Sequence, residues 1–185
     1  AQAGSGIDAT DLLRRAALTA HIARDRPGIT WVTYNRDLDE RVNEWVRTTR
    51  ALDASLVRGD FELHYQPAVR LSDGGIISAE ALLRWRDPEH GLQAPGRFMQ
   101  IAESSRLIVP IGDWVIGEAC RQLRAWHDEG LSAQLAVNIS RVQFAHADVA
   151  ASVEAALSEH GVTPGSLWLE ITETAFEEDT GRLLD

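Results

Sequence analysis

Cysteine is nearly absent from this 185-residue chain: a single one, Cys120, excludes an internal disulfide and suits a reducing, cytoplasmic setting. It falls in a helical run, where a small core residue is the plain reading. Positive charge is scarce as well. The 18 lysines and arginines face 28 aspartates and glutamates, leaving a formal charge of −10 and a pI near 5.0. That balance lacks the basic footprint of a nucleic-acid clamp, so DNA and RNA polymers are not expected partners. No apolar run approaches the ~20 residues of a membrane span. The opening "AQAGSGIDATD" has neither the charged nor the apolar region of a signal peptide. Whether a longer parent protein is membrane-anchored stays open. The histidines at 21, 64, 90, 127, 146 and 160 form no HxH or HExxH pair, which argues against a histidine-built zinc site. What is left, 44% hydrophobic and 25% charged, is ordinary globular composition with enough chain for one domain or parts of two.

Apolar spacing divides the chain. Leu13, Ala16, Ala20 and Ala23 recur at helical intervals until Pro27-Gly28, and "ITWVTY" (29–34) follows as a β-rich run. One helix and one strand cannot bury a core, so residues 1–36 read as the tail of a preceding domain. Over 37–58, Leu38, Val42, Trp45, Thr49, Leu52 and Leu56 make one stripe, suited either to a linker helix packed on a neighbour or to a dimer seam. Gly59 is its expected C-cap. "FELHYQPAVRL" (61–71) and "IISAEALLRW" (76–85), joined by "SDGG", predict an antiparallel hairpin. Residues 86–97 read as loop, 98–105, 113–130 and 145–161 as helices, and 133–140 and 166–173 as strands. That alternation is an α/β pattern and predicts parallel pairing after the hairpin.

Within "IISAEALLRW", Ile76, Ile77, Leu82, Leu83 and Trp85 suit a core, yet Glu80 and Arg84 share the run. Charges are seldom buried without a partner, a metal or a ligand. Strand alternation puts Ser78, Glu80, Leu82 and Arg84 on one face; Glu62, His64 and Gln66 share a face of the first strand. Asn138 and Glu170 stand opposite the aliphatic faces Leu135/Val137/Ile139 and Leu167/Leu169/Ile171. Ligands of parallel α/β sheets gather at the carboxyl ends of strands, where Glu80, Asn138 and Glu170 could converge. Two carboxylates and an amide oxygen suit Mg²⁺ or Mn²⁺ better than zinc. Taken singly, a strand-end glutamate is also a plausible rim residue, and Asn138 could hold a turn.

"YQP" (65–67), "AEALLRW" (79–85), "AES" (102–104), "VNIS" (137–140) and "LEITE" (169–173) resemble, in order, the motifs of EAL domains, bacterial phosphodiesterases of cyclic di-GMP. The resemblance runs from about residue 50 onward. It implies a modified TIM (β/α) barrel with an antiparallel first strand, of which 59–185 would be the N-terminal half. By the family pattern Glu80, Asn138 and Glu170 resemble ligands of the catalytic Mg²⁺ or Mn²⁺, and Arg84 a contact to substrate phosphate. Glu173 resembles the glutamate that steadies a loop over the site, and Gln66 a groove residue. Arg106 stands where the family commonly has glycine. The family's later residues, two aspartates of a DDFG segment, a lysine, a glutamate and a glutamine loop, have no counterpart here. The 185-residue chain alone is therefore expected to be inactive. "DLLRRAALTAHIARDRPGITWVTY" more weakly resembles the end of a GGDEF domain, with Ala17 in place of that family's aspartate and no signature loop.

Two functional readings stay open. One is a metal-dependent hydrolase cutting cyclic di-GMP to linear pGpG. The other is a non-catalytic module that senses cyclic di-GMP or binds a protein partner, with a homodimer through the linker helix or the EAL domain compatible with both.

Overall fold

The computed structural model describes residues 36–171, with side chains from residue 40 onward. The segments read as a GGDEF-like tail and as the end of "LEITE", Glu173 included, lie outside the described residues. The chain divides into two units, Ala1–Thr48 and Thr49–Asp185. Helix α1 (Arg36–Arg58) is continuous, as its stripe predicts. Within the second unit its last turns bury Leu52 and Ser55 completely. Ser55 Oγ accepts the indole N–H of Trp85 at 2.9 Å and donates to Asp60 Oδ2 at 2.9 Å, so this buried hydroxyl is satisfied.

Strands β1 (Phe61–Val69) and β2 (Ile76–Asp87) pair antiparallel, from Phe61 opposite Trp85 to Val69 opposite Ile76. β1 stops two residues short of the expected end because Arg70 already belongs to the turn. Its N–H bonds Gly75 O and its guanidinium pairs with Asp73 at 2.7 Å, while Gly74 takes the left-handed φ of +73° that the reversal needs. β2 runs two residues longer than expected. Asp87 turns the chain by accepting the N–H groups of Glu89 and His90 at 2.7 and 3.1 Å. Strand β3 (Gly91–Gln93) then pairs back onto β2, in a stretch whose Pro and Gly punctuation reads as loop.

Helix α2 (Met99–Ser104) leads into α3 (Ile108–Asp128). α3 starts five residues before the expected Asp113 cap. Pro110 lies in the first turn, where its missing N–H costs nothing, and Ile108 and Ile111 are buried. Asp113 instead accepts Ser152 Oγ at 2.7 Å. Strand β4 (Gln134–Ile139) is followed by two helices rather than one, α4 (Arg141–His146) and α5 (Val149–His160), because Ala147 is extended. Two side chains nucleate them: Ser140 caps α4 and Asp148 caps α5. Strand β5 (Leu167–Ile171) ends the described fold.

The sheet order is β1-β2-β4-β5 with β3 on β2, and β2–β4 and β4–β5 are parallel. This is the mixed α/β sheet with an antiparallel first strand that the alternation predicts. Ala79, Ala81, Leu83 and Trp85 of β2 and Leu135, Val137 and Ile139 of β4 turn into one core with Phe98, Ile111, Ile116, Cys120 and Leu123. Cys120 is fully buried, and desolvation pushes its thiol up to about 11, so it packs as a small apolar residue. Ile76 and Ile77, expected in the core, are exposed instead. They occupy the hairpin tip, beyond Ser78, where pairing with β4 begins.

Candidate functional site

The polar face of the sheet is built by alternation. Because Ala79 and Ala81 are buried in the core, Glu80 between them must project to the opposite side. Val137 and Ile139 force Asn138 the same way. The two side chains meet: Asn138 Nδ2 donates to Glu80 Oε1 at 2.8 Å across β2 and β4. Glu170 is the parallel register partner of Asn138 and so shares its face. Gln66 on β1 is the antiparallel register partner of Glu80, which adds a fourth strand to the same row. Sequence alternation thus brings Gln66, Glu80, Asn138 and Glu170 together on one side of the sheet.

Two expectations need correction. Glu80 does not lie late in its strand; it is the fifth of the 12 residues of β2. It still ends up beside Asn138 because the parallel ladder between β2 and β4 spans only Ser78–Ala81 of β2, while β1 pairs along the other edge and β3 pairs with β2 only from Trp85 on. Glu80 is late in the parallel ladder, not late in the strand. The second concerns the all-aliphatic face of β5: Leu169 is 39% exposed and borders an open apolar groove of about 710 Å³ with Val153, Leu157 and Val162. That groove is on the helix side of β5, opposite Glu170.

Arg84 shares the Glu80 face, is half-buried, and donates from Nη1 to its neighbour's carbonyl, Leu83 O, at 2.8 Å. Its register partner is Glu62. The Glu62 carboxylate is occupied by His64 at 3.0 Å and Arg86 at 2.5 Å, and these two bonds hold it below the usual carboxylate range. Arg84 is therefore oriented by backbone rather than by a carboxylate.

The donor set is two carboxylates and an amide, all offering oxygen, and that chemistry fits a hard divalent cation rather than zinc. Among the described residues no three His, Cys, Asp or Glu side chains gather closely enough to hold a metal. Glu80, Asn138 and Glu170 share one face without making such a cluster.

Sequence reasoning did not anticipate the support behind Asn138. Ser140, two residues on, donates to Glu103 Oε1 at 2.7 Å and accepts the N–H of Val142 at 3.1 Å. Gln143 is 1% exposed and lies against Gly112 of α3. The signal available was a serine directly before a helix, which is a cap pattern.

Residues 49–185 match the EAL domain family. The chain is 40% identical over 177 residues to the bifunctional diguanylate cyclase/cyclic di-GMP phosphodiesterase MucR of Pseudomonas aeruginosa, covering 95% of this chain and 26% of that protein. It is 33% identical over 174 residues to the cyclic di-GMP phosphodiesterase PdeR of Escherichia coli, covering 94% of this chain and 26% of that protein. The fold matches the solved PaMucR phosphodiesterase in complex with c-di-GMP, with a TM-score of 0.69 and 47% identity. That match covers 72% of this chain and 55% of the solved one. The chain thus spans about a quarter of these two relatives' length and about half of the solved domain.

Proposed function

The chain belongs to the EAL domain family, and from that premise we propose that it forms the first part of a phosphodiesterase that hydrolyses cyclic di-GMP to linear pGpG. In this reading residues 1–36 end a GGDEF-like domain, 37–58 are a linker helix and 59–185 begin the EAL barrel, in a bacterial cytoplasm. The observation that carries the proposal is the contact of Asn138 Nδ2 with Glu80 Oε1 at 2.8 Å, with Glu170 in register beside Asn138. Two residues from distant parts of the sequence meet on the polar side of the sheet, toward the carboxyl end of the parallel ladder, the end at which α/β folds bind ligands.

Glu80, Asn138 and Glu170 would hold Mg²⁺ or Mn²⁺. When bound, such a cation activates a water and offsets the charge of the phosphodiester. The bond from Asn138 fixes the rotation of the Glu80 carboxylate and leaves the amide oxygen of Asn138 as its acceptor atom. Arg84 would exchange Leu83 O for a phosphate oxygen, gaining charge-assisted bonds in place of a neutral one. Gln66 would line the substrate side, and Glu173 would steady a loop over it. Water oxygen adds to one phosphorus, the ester bond to the sugar oxygen breaks, and that oxygen takes a proton, which opens the ring. An acidic chain can accept an anionic dinucleotide in this way because the positive charge is local.

Hydrolysis of cyclic di-GMP with Mg²⁺ or Mn²⁺ tests the reading, comparing the 185-residue chain with a longer polypeptide carrying a complete EAL domain. The complete domain should form pGpG, lose that activity on Glu80→Ala, Asn138→Ala or Glu170→Ala, and keep it on Val153→Ala in the apolar groove. The 185-residue chain should not turn over. A complete domain that binds cyclic di-GMP without cleaving it would favour a sensing module instead. Cleavage indifferent to Glu80→Ala would defeat the site.

A further inference from the structure

The polar face holds Asn138, but the residue that holds Asn138 in place is on another element. Asn138 is the fifth of six residues of β4, and the strand ends one residue later at Ile139. Its backbone position therefore depends on how the chain leaves the strand. Ser140 controls that exit. Its hydroxyl oxygen accepts the N–H of Val142 at 3.1 Å and caps α4, while its proton points to Glu103 Oε1 at 2.7 Å. One hydroxyl is thus used as donor and acceptor at once, which leaves it a single rotamer.

Glu103 is well placed to act as an anchor. It sits on α2, where its neighbour Ala102 and the preceding Phe98 are buried to 0% and 1% exposure, so the helix that carries it is fixed to the core. Its carboxylate is half-buried, where a bond from a hydroxyl to a charged acceptor is stronger than on the surface. The connection runs from α2 through Glu103 to Ser140, then along two residues of backbone to Asn138, and from the Asn138 amide to Glu80 Oε1. Glu103 touches neither Glu80 nor Asn138 in any bond of this series. Its Oε1 is taken up by the serine hydroxyl.

We infer that Glu103 is a positioning residue: through Ser140 it sets the end of β4 so that Asn138 meets Glu80. The inference deepens the proposed function, since a cation at Glu80, Asn138 and Glu170 would feel any shift of Asn138. Partners that orient metal ligands in this way typically change affinity by ~10–100-fold when removed.

The test reads Asn138 directly. In ¹⁵N-labelled 185-residue chain, the Asn138 side-chain amide resonances are assigned by their loss in Asn138→Ala. Glu103→Ala and Ser140→Ala should each shift them toward the position seen in Glu80→Ala, and the double variant should shift them no further, because both act through one bond. Glu103→Gln, whose amide oxygen still accepts, should leave them close to the wild type. If Glu103→Ala does not fold, Glu103→Asp replaces it: one methylene short of Ser140, it must also move the resonances. Mn²⁺ titration is run alongside, with an expected loss of affinity of ~10-fold or more in Glu103→Ala. Folded Glu103→Ala or Glu103→Asp protein with an unmoved Asn138 amide overturns the inference. A wild-type chain that binds no Mn²⁺ counts against the cation site only; the amide resonances still decide the role of Glu103.

Discussion

Two glycines of helix α3 should respond with opposite sign to the same substitution. A Cβ built on Gly112 would lie 2.2 Å from Gln143 Nε2, 2.3 Å from Cδ and 2.4 Å from Oε1, well inside any tolerable contact. The Gln143 side chain is 1% exposed and cannot simply swing into water. A Cβ on Gly117 would meet nothing within 4 Å. Alanine gains ~1 kcal/mol over glycine in a helix interior, so Gly117→Ala should stabilise by roughly 0.5–1 kcal/mol. At Gly112 that gain competes with overpacking of ~1–3 kcal/mol. The overlap is with three atoms at once and should sit at the upper end of that range, so the expected net loss is ~1–2 kcal/mol. Urea unfolding reads both, at unchanged slope, and the thermal midpoint should move by ~2–4 °C per kcal/mol in opposite directions. Because Nε2 of Gln143 is buried without a hydrogen-bond partner, Gln143→Ala removes an unsatisfied amide as well as the obstacle. Gly112→Ala should then cost much less in a Gln143→Ala background. Equal effects at the two glycines, or a Gly112→Ala protein as stable as the wild type, would refute the packing of α4 on α3 described here.

Other outcomes follow from single residues. Arg106 has a left-handed φ of +62°, a conformation that costs a side chain ~1 kcal/mol or more, so Arg106→Gly should raise stability by roughly 0.5–1 kcal/mol in chemical denaturation; a loss would contradict the strain. Asp87 carries a pH dependence. Burial raises its carboxyl, but the N–H groups of Glu89 and His90 and the His90 ring together outweigh that and leave it below the ordinary 3.8. A lowered folded value means stabilisation that is present above the ordinary carboxylate range and lost as pH falls through the folded value. Asp87→Ala should therefore cost ~1–2 kcal/mol near neutrality, and the gap to wild type should close below about pH 4. A gap that widens in acid would reverse the sign.

Much of the site could be read from alternation alone. The flanking Ala79 and Ala81, and Val137 and Ile139, fix the side on which Glu80 and Asn138 emerge, and one hairpin signal fixes the direction of β1. Helix boundaries were less legible where a residue type has two uses. Pro110 and Gly112 look like helix breakers, yet proline is tolerated in a first turn and Gly112 is needed for the approach of Gln143. The break between α4 and α5 rests on Asp148 accepting the N–H of Ala151, a cap that the alanine- and valine-rich sequence around it conceals. The tie from Glu103 to Ser140 spans 37 residues, and no local spacing rule reaches that far.

The central claim, that Glu80, Asn138 and Glu170 form one cation site, is tested most directly by titrating Mn²⁺ into the ¹⁵N-labelled chain and following which amide resonances broaden first. Paramagnetic broadening starting at residues 80, 138 and 170 together, and suppressed by Glu80→Ala, is the predicted result. Broadening that starts at the hairpin acid Asp73 or at Asp128 near the end of α3, and persists in Glu80→Ala, would contradict it.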